Sequence, residues 1–349
     1  MSTEQIQTIL VTGATGYLAS WAIKQLLEQG QTVHATVRDV NAQQKHQHLL
    51  DIAEKATGTL TLFNADLLTE GSFAEAMAGC DTVIHMASPF VISGIKDPQQ
   101  QLIKPAEEGT RNVLAQVEKT DTVKRVVLTS SVVSIYGDSC DLLDTQQCIF
   151  TEAHWNTTSS VDHQPYSLSK TLAEKLAWKM NGEQTRWDLV VINPGFIMGP
   201  SLTNRKDSTS IDFMRGLLKG QYKTGAPDLA FGLVDVRDVA NAHVQAAFRS
   251  GATGRHILVA QSPSVLEMAS ALREEFGSKY PLPSKMLPKW LVWLVAPMAG
   301  LTRKFVKNNI GYPLAFDNSY SQKDLGIEYR SMKQTLADHA NQLEKDGLL

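Results

Sequence analysis

The chain has 349 residues, of which 43% are hydrophobic and 20% charged, with a formal net charge of -3 at pH 7. This balance is typical of a globular protein and unlike that of a polyanion binder, so we expect no nucleic-acid partner. The length predicts one large domain with a smaller one attached. Three cysteines without CxxC spacing, Cys80, Cys140 and Cys148, predict neither a disulfide framework nor a zinc site, and they suit a reducing cytoplasm.

Neither the N-terminal segment nor the most apolar stretch of the chain predicts a membrane protein. Residues 1–7 are polar and lack the basic start and apolar centre of a signal peptide, so we expect a cytoplasmic protein. The most apolar stretch, residues 286–301, contains Pro288, Lys289 and Pro297 and is too short to cross a bilayer. Between a membrane-surface role and a core or pocket-lining helix, we favour the helix and expect no membrane partner.

Short apolar runs alternate with helical patterns from residue 8 onward. Such alternation predicts a Rossmann-type, doubly wound parallel α/β sheet with helices on both faces. The predicted strands are 8–11, 32–37, 60–63, 82–85, 125–129 and 189–192. The predicted helices are 17–29, 43–55, 72–78, 99–118 and 165–180.

The pattern loosens after Asn193. Helices are predicted near 212–219 and 238–248, with a strand at 256–259. We therefore divide the chain into a Rossmann domain, residues 1–193, and a smaller C-terminal α/β lobe, residues 194–349, interwoven with the first.

A glycine-rich turn joins the first predicted strand to the first helix. Residues 12–19 read TGATGYLA, which places Gly13, Gly16 and Ala19 three apart. Gly13 permits a tight turn, Gly16 lets the backbone approach a pyrophosphate, and the helix N-terminus offers amides to the anion. In a first βαβ unit this pattern predicts a dinucleotide site. The expected contacts are Thr12, Gly13, Thr15, Gly16, Tyr17 and Leu18.

The charge after the second strand indicates which dinucleotide binds. Arg38 stands where a carboxylate would accept from a free ribose 2′-hydroxyl, and an arginine there pairs with a 2′-phosphate. Lys45 follows within two helical turns and can reach the same phosphate. These two cations predict NADP (NADPH) rather than NAD, although Asp39 leaves open a contact with a ribose hydroxyl.

Two further strand ends are expected to line the cofactor. Asp66, with Leu67 beside it, is placed for the adenine amino group unless it caps the next helix. Ala87 and Ser88 follow the fourth strand and are expected beside the ribose. Ligands of parallel sheets bind at these carboxyl ends.

Tyr166 and Lys170 lie four residues apart on a predicted helix and therefore share a face, although such pairs also occur as mere surface residues. An ammonium and an oxidised nicotinamide both favour the phenolate, so we expect a lowered pKa for Tyr166 and proton exchange near neutrality. A serine in the segment 128–131 (LTSS), at the end of the fifth strand, would polarise a substrate carbonyl. The set predicts a carbonyl reductase with Tyr166 as general acid.

These segments together resemble the extended short-chain dehydrogenase/reductases of the NAD-dependent epimerase/dehydratase superfamily, most closely the dihydroflavonol reductase and cinnamoyl-CoA reductase group. The resemblance covers nearly the whole chain. It rests on residues 12–19, 37–39 with Lys45, 86–90, 128–131, 166–175 (YSLSKTLAEK), 193–195 (NPG) and 234–240 (VDVRDVA). It implies that the catalytic serine is Ser131. It also implies nicotinamide contacts around Pro194, Gly195 and Ile197, and we add Thr129, Tyr166 and Lys170 to the cofactor residues.

The sequence departs from that group at one place. In many members, an asparagine one turn before the Gly109-Thr110 pair organises a proton-relay water. This chain has no asparagine there and reads PAEE at 105–108. Any relay must therefore differ, and we do not expect Asn112 to replace it. Farther on, we expect Asp238 to cap the helix that follows it.

Candidate substrate contacts flank the expected nicotinamide site. They are Phe90, Val133, Tyr136, Phe196 and Met214. Being mostly apolar, they predict a neutral, largely apolar aldehyde or ketone as substrate, unless they only fill the seam between the lobes.

Two other functions remain open, and we expect a monomer or a homodimer in either case. An NAD(P)-dependent sugar-nucleotide epimerase or dehydratase would retain NAD, and Arg38 argues against that cofactor. A non-catalytic NADP-binding redox sensor would not need Ser131, Tyr166 and Lys170.

Overall fold

The computed structural model describes residues 6–88, 95–205 and 208–349. The strands in these ranges are β1 (Thr8–Thr12), β2 (Thr32–Val37), β3 (Thr59–Asn64), β4 (Thr82–His85), β5 (Arg125–Thr129), β6 (Asp188–Pro194), β7 (Phe196–Met198), β8 (Leu233–Asp235) and β9 (Gly254–Leu258). The α-helices are α1 (Tyr17–Glu28), α2 (Gln47–Lys55), α3 (Ala74–Met77), α4 (Lys104–Glu118), α5 (Pro165–Gly182), α6 (Thr209–Leu218), α7 (Val236–Phe248), α8 (Val265–Phe276), α9 (Lys289–Val295), α10 (Arg303–Asn309), α11 (Ser319–Leu325) and α12 (Met332–Lys345).

Seven strands form one parallel sheet in the order β3-β2-β1-β4-β5-β6-β9. The inner strands are runs of buried Val, Ile and Leu, as expected of strands that helices cover on both faces. The chain order reverses across β1 and β4, so the loops after these strands diverge and open a crevice at their carboxyl ends. The predicted Rossmann-type α/β fold is confirmed.

In two of the predicted helices the first turn is not α-helical. The helix predicted over 43–55 is a 3₁₀ turn, Gln43–Lys45, followed by α2. The helix predicted over 99–118 begins with a π-helical turn, Gln99–Ile103, before α4. Pro105, which lacks an N–H, lies in the first turn of α4, and its missing hydrogen bond accounts for the wider turn before it.

A strand from the region predicted for the second lobe completes the sheet. β9 pairs with β6 from Val190 and Gly254 to Pro194 and Leu258, and it forms the outer strand. Helix α7 packs against α1 on one face of the same sheet. The second half of the chain thus contributes a strand and a helix to the dinucleotide-binding layer, while the functional division at residue 193 remains a prediction.

A second core lies beside the sheet. Helices α6, α8 and α12 pack together around Ile211, Leu217, Met268, Leu272 and Leu336. The short parallel pair β7 and β8 connects this core to the end of β6. The crevice at the carboxyl edge is therefore bordered by two separately packed bodies of one chain.

The expectation that residues 286–301 form a core or pocket-lining helix holds for only one face of the helix in this segment. Val292 and Ala296 are buried, but Trp290 and Leu294 on the other face of α9 are 68% and 56% exposed. The segment is apolar on both faces, and only one of them contacts the protein. Among the described helices, none has both the length and the apolar character that crossing a bilayer requires.

Candidate active site

The glycine turn lies between β1 and α1 and is shaped for close approach. Gly13 has a φ of 72°, and a Cβ on it would lie 2.9 Å from the Cα of Ala87. Gly16 is the N-cap of α1 and places no side chain over the first amides of that helix. The turn thus leaves backbone N–H groups at a helix N-terminus available to an anion.

Thr12 joins the two strands on either side of the crevice. Its hydroxyl accepts from the amides of Met86 and Ala87 at 3.1 and 3.0 Å, and lies 2.8 Å from Nδ1 of His85. Burial lowers the pKa of His85 to about 3, so this histidine is neutral. The predicted cofactor residues Thr12 and Ala87 are therefore in direct contact at the base of the glycine turn.

The second lobe reaches over the glycine turn. Tyr17 donates to the carbonyl of Gly199 at 2.6 Å, and burial raises the pKa of its phenol. Arg205 Nη1 donates to the carbonyl of Thr15 at 3.1 Å, while Leu18 packs into the core under the sheet. The sequence analysis gave Arg205 no role at the glycine turn. Its position is set by chain folding over 190 residues, and no local pattern indicates it.

The adenine end of the crevice is open to solvent. Arg38 and Lys45 are both exposed, and neither forms an ion pair with any residue that the structure describes. Asp39 instead accepts from the amide of Asn41 at 2.9 Å, so its carboxylate folds back on its own turn. Both cations at this end are therefore available to pair with a bound anion.

Asp66 and Leu67 form the turn after β3. Asp66 accepts from the amide of Leu68 at 2.8 Å, which stabilises the turn rather than a helix start. The side chain of Asn112 donates to the carbonyl of Leu67 at 2.7 Å. Asn112 is thus engaged in holding this turn, as expected for a residue outside the reacting group.

Tyr166 and Lys170 lie in the first two turns of α5, on one face. The Lys170 ammonium donates to the hydroxyl of Ser88 at 3.1 Å, which fixes it at the end of β4. Burial lowers the pKa of Lys170 to about 8, and the carboxylate of Glu174 opposes that shift. At neutral pH Lys170 is therefore a half-buried cation at the carboxyl edge of the sheet.

The expected lowering of the pKa of Tyr166 is not found in this structure. Burial raises the pKa of the phenol to about 12. Loss of solvation penalises the charged phenolate relative to the neutral phenol. Tyr166 is therefore a neutral phenol with a proton to give, and any stabilisation of its anion must come with a bound cation.

Ser131 follows β5 and faces the turn after β6. Its hydroxyl donates to the carbonyl of Pro194 at 3.4 Å and accepts from the amide of Val133 at 3.3 Å. The carbonyl of Val133 in turn accepts from Thr171 on α5 at 3.5 Å. This contact holds the strand end that carries Ser131 against the helix that carries Tyr166.

The hydroxyl of Thr129 forms a hydrogen bond with a buried histidine. Its hydroxyl lies 2.8 Å from Nε2 of His243, whose Nδ1 lies 2.8 Å from the carbonyl of Val239. Because Nδ1 must donate to that carbonyl, Nε2 accepts from Thr129. Burial lowers the pKa of His243 to about 4, which keeps this arrangement neutral. Only the lone pairs of the Thr129 oxygen remain for a ligand.

A cavity of about 20 Å³ lies behind Lys170. Its lining includes Ser88, Thr110, Thr129, Ser130 and Lys170 as well as apolar residues such as Leu67 and Leu128. A cavity of this size has room for one water molecule.

Glu174 carries a buried polar network that sequence reasoning missed. Its carboxylate is 1% exposed, pairs with Arg255 of β9 at 2.6 Å, and accepts from Asn193 at 2.8 Å and from the hydroxyls of Ser130 and Ser134. The partners come from two strands, β6 and β9, and from the segment that follows β5. A usable signal was present, because Glu174 follows Lys170 by four residues and so continues the buried face of α5.

The start of α5 is fixed by a second buried carboxylate. Asp138 accepts from His163, Gln164 and Asn309 at 2.8, 2.6 and 2.7 Å, and from Asn308 at 2.8 Å. Gln164, the N-cap of α5, has a left-handed φ of 55°. The contacts of its side chain hold this unusual conformation immediately before the turn that contains Tyr166.

The NPG turn after β6 requires its glycine. A Cβ on Gly195 would lie 2.0 Å from the carbonyl oxygen of Gly232. Pro194 ends β6, and Ile197 is a half-buried residue of β7. The backbone of residues 194–197 therefore passes between the two bodies, next to Ser131.

The predicted substrate residues separate into three groups. Val133 and Tyr136 follow Ser131, and the Tyr136 ring stacks on Phe150 with ring centres 4.9 Å apart. Phe196 packs against Phe213 and Phe231 at 5.4 and 5.1 Å. Met214 has no exposed surface and belongs to the second core, so it offers nothing to a ligand. The expected contact at Phe90 lies outside the described residues.

The expected cap of α7 was assigned to the wrong aspartate. Asp235 is the N-cap and accepts from the amide of Arg237 at 2.8 Å. Asp238 lies one turn later, accepts from the amide of Arg330 at 2.8 Å and pairs with its guanidinium. Two acidic residues three apart are equally good cap candidates by sequence, and the chain direction at the end of β8 decides between them.

Comparison with known proteins adds to this geometry. A model of the NAD dependent epimerase/dehydratase family matches residues 9–260. Cinnamoyl-CoA reductase CAD2 of Medicago truncatula is 37% identical over 340 residues, covering 97% of this chain and 95% of that protein. Tetraketide alpha-pyrone reductase 1 of Arabidopsis thaliana is 37% identical, covering 98% and 96%. The crystal structure of Gre2 from Candida albicans in complex with NADPH gives a TM-score of 0.78 at 27% identity, covering 98% and 99%.

Proposed function

The chain belongs to the NAD dependent epimerase/dehydratase family, the extended short-chain dehydrogenase/reductases, and we propose that it is an NADPH-dependent reductase of neutral, mostly apolar aldehydes or ketones. The observation that carries the proposal is the half-buried pair Tyr166 and Lys170 on one face of α5, with Ser88 and Ser131 at adjoining strand ends. The named reductases among its relatives support the same reaction type.

The residues present fit a dinucleotide. A Cβ at Gly13 would collide with Ala87, and Gly16 leaves the N-terminus of α1 uncovered. Pyrophosphate would lie against these amides, and the 2′-phosphate would lie between Arg38 and Lys45. The remaining predicted contacts are Thr12, Thr15, Tyr17, Leu18, Asp66, Leu67, Ala87, Ser88, Thr129, Pro194, Gly195 and Ile197. When bound, NADPH supplies the hydride.

The chain supplies the proton and the orientation. Tyr166 donates its phenolic proton to the carbonyl oxygen as the carbonyl carbon receives the hydride, which gives the alcohol. Burial keeps the phenol protonated until that moment, because it raises the pKa to about 12. Ser131 hydrogen-bonds the same oxygen, and the Lys170 ammonium stabilises the phenolate that remains until solvent returns a proton.

The substrate class follows from what borders the reacting groups. Val133, Tyr136 and Phe196 supply apolar surface near Ser131 and the NPG turn. A nucleotide sugar carries a diphosphate of its own, in addition to that of the cofactor, and would need cations to bind it. Arg215 instead pairs with Asp212 and donates to the Leu348 carbonyl. Arg205 contacts the glycine turn instead.

The described residues named in the proposed chemistry come from one chain, so either a monomer or a homodimer is compatible with it. The three free cysteines suit a reducing compartment such as the cytoplasm.

The proposal is tested by following NADPH absorbance with a panel of carbonyl compounds. We expect turnover of alkyl and benzaldehyde-like substrates, with kcat/KM rising with apolar bulk. UDP-glucose serves as the control, with cofactor released from the purified protein identified at the same time. Tightly bound NAD together with activity confined to nucleotide-linked substrates would overturn the proposal.

A further inference from the structure

Exposed apolar side chains are concentrated in one segment of the chain. Ten large hydrophobic residues are exposed among those described, and six of them lie between residues 286 and 298. This α9 patch consists of Met286, Trp290, Trp293, Leu294, Val295 and Met298. Scattered apolar residues on a surface need no explanation, but a contiguous group with two tryptophans marks an interaction surface.

Helical spacing explains why the α9 patch faces outward as a unit. Val292 and Ala296, four residues apart, are buried against Val306 and Ile310. Trp290, Trp293 and Leu294 are three and four residues apart and share the opposite face. Met298, just past the helix, is 91% exposed. The helix therefore presents an apolar face that stays largely exposed in the described part of the chain, with a single cation over one of its rings.

Cations border this patch. Arg303 lies over the Trp293 ring at 4.2 Å, and Lys289 lies over Tyr312 at 4.6 Å. Lys304 and Lys307 are exposed on α10, which packs against α9. The sequence has no Asp or Glu between Glu275 and Asp317. A basic rim around an apolar face complements a surface that is anionic outside and apolar beneath.

We propose that the α9 patch docks on the surface of an anionic phospholipid bilayer. Tryptophan favours the boundary between headgroups and acyl chains, leucine and methionine enter the acyl region, and the basic rim contacts lipid phosphates. A second copy of this chain fits less well, because a two-fold contact would bring two basic rims together. The assignment differs from the expectation of no membrane partner and is independent of the proposed reductase activity.

The test measures sedimentation of the full chain with phosphatidylcholine vesicles that contain or lack phosphatidylglycerol. We expect binding to the anionic vesicles, weak binding to the neutral ones, release at high salt and a blue shift of tryptophan emission. Trp290→Ser combined with Leu294→Ser should lower the partition coefficient about 100-fold, since each buried apolar side chain contributes roughly tenfold or more. Lys304→Glu should lower it about tenfold.

Matched changes elsewhere provide the controls. Leu143→Ser removes a leucine that is 59% exposed outside the patch, and Lys55→Glu reverses an exposed charge on α2. Both should bind like the unaltered chain, and thermal melts should confirm that all variants fold. Failure of the unaltered chain to bind anionic vesicles would overturn the proposal. So would equal binding to neutral vesicles, or a shift from dimer to monomer in the Trp290→Ser, Leu294→Ser protein without vesicles.

Discussion

The two ends of the candidate cofactor crevice are built differently. At one end, the polar groups around Glu174 are buried and bonded to one another, and the half-buried Lys170 bonds to Ser88 beside them. Around Arg38 and Lys45 the charges are exposed, without an ion pair among the described residues. A buried, internally bonded end can hold reacting atoms in fixed positions, whereas an exposed end can select a ligand by charge at little cost in stability. Changes at the first end should therefore affect chemistry and folding, and changes at the second should affect cofactor choice.

The largest expected effect is on turnover. Tyr166→Phe should lower kcat by about 10²–10⁴, the usual weight of general acid catalysis, because the proton donor is lost while the ring remains. NADPH affinity, measured by fluorescence titration, should change little. Tyr320→Phe, which removes a hydroxyl that donates to the Thr253 carbonyl, is the matched control and should retain activity. A Tyr166→Phe enzyme with more than a tenth of the original turnover would mean that another group donates the proton.

The next effect is on folding. Glu174→Gln leaves the guanidinium of Arg255 buried without a counter-charge, since the side chains of this pair are 0% and 7% exposed. Breaking such a pair costs about 3–5 kcal/mol of unfolding free energy, measured by urea denaturation. Glu183→Gln on the same helix removes an exposed partner of Lys179 and should change stability by less than about 1 kcal/mol. Similar losses in both variants would contradict the contrast between buried and exposed charge.

At the exposed end, the expected effect is on selectivity. Arg38→Ala should lower kcat/KM for NADPH roughly 10–100-fold, since a charge-assisted bond contributes ~1.5–3 kcal/mol. The same ratio for NADH should hardly change, and Lys55→Ala on α2 should leave both unchanged. Equal losses with the two cofactors would place Arg38 outside the 2′-phosphate site.

The smallest effect concerns pH. The pKa of Lys170 is about 8, so its ammonium is present below that pH and is lost as the pH rises through it. If the ammonium assists the reaction, kcat/KM for NADPH should fall above pH about 8, by up to tenfold per unit. Lys170→Arg keeps its charge to much higher pH. A decline at the same pH in that variant would assign it to a different group.

Patterns within short stretches of the sequence predicted most strands of the sheet but few of the buried hydrogen bonds beside it. β2, β4 and β5 begin and end where short apolar runs do, because strands covered on both faces are apolar throughout. The glycine turn and the Tyr166, Lys170 pair were likewise readable, since three- and four-residue spacings fix geometry within one turn or helix.

What escaped prediction depends on distant parts of the chain. Glu174 meets Ser130, Asn193 and Arg255 only when three strands align, and Arg205 reaches Thr15 only after the second lobe folds back. Apolar composition alone also cannot separate α9, with one exposed face, from a core helix. The pKa of Tyr166 was predicted from its charged neighbours, but burial has the larger effect.

The central claim is hydride transfer from NADPH to an apolar carbonyl at the Tyr166 site. The most direct measurement uses NADPH deuterated in turn on each face of the nicotinamide C4, an alkyl or aromatic aldehyde, and mass spectrometry of the product. The account predicts an alcohol with one deuterium on the carbinol carbon from only one of the two labelled cofactors, with product formation lowered about 10²–10⁴-fold in Tyr166→Phe. Alcohol formed without deuterium from either cofactor, or formed equally well by Tyr166→Phe, would contradict it.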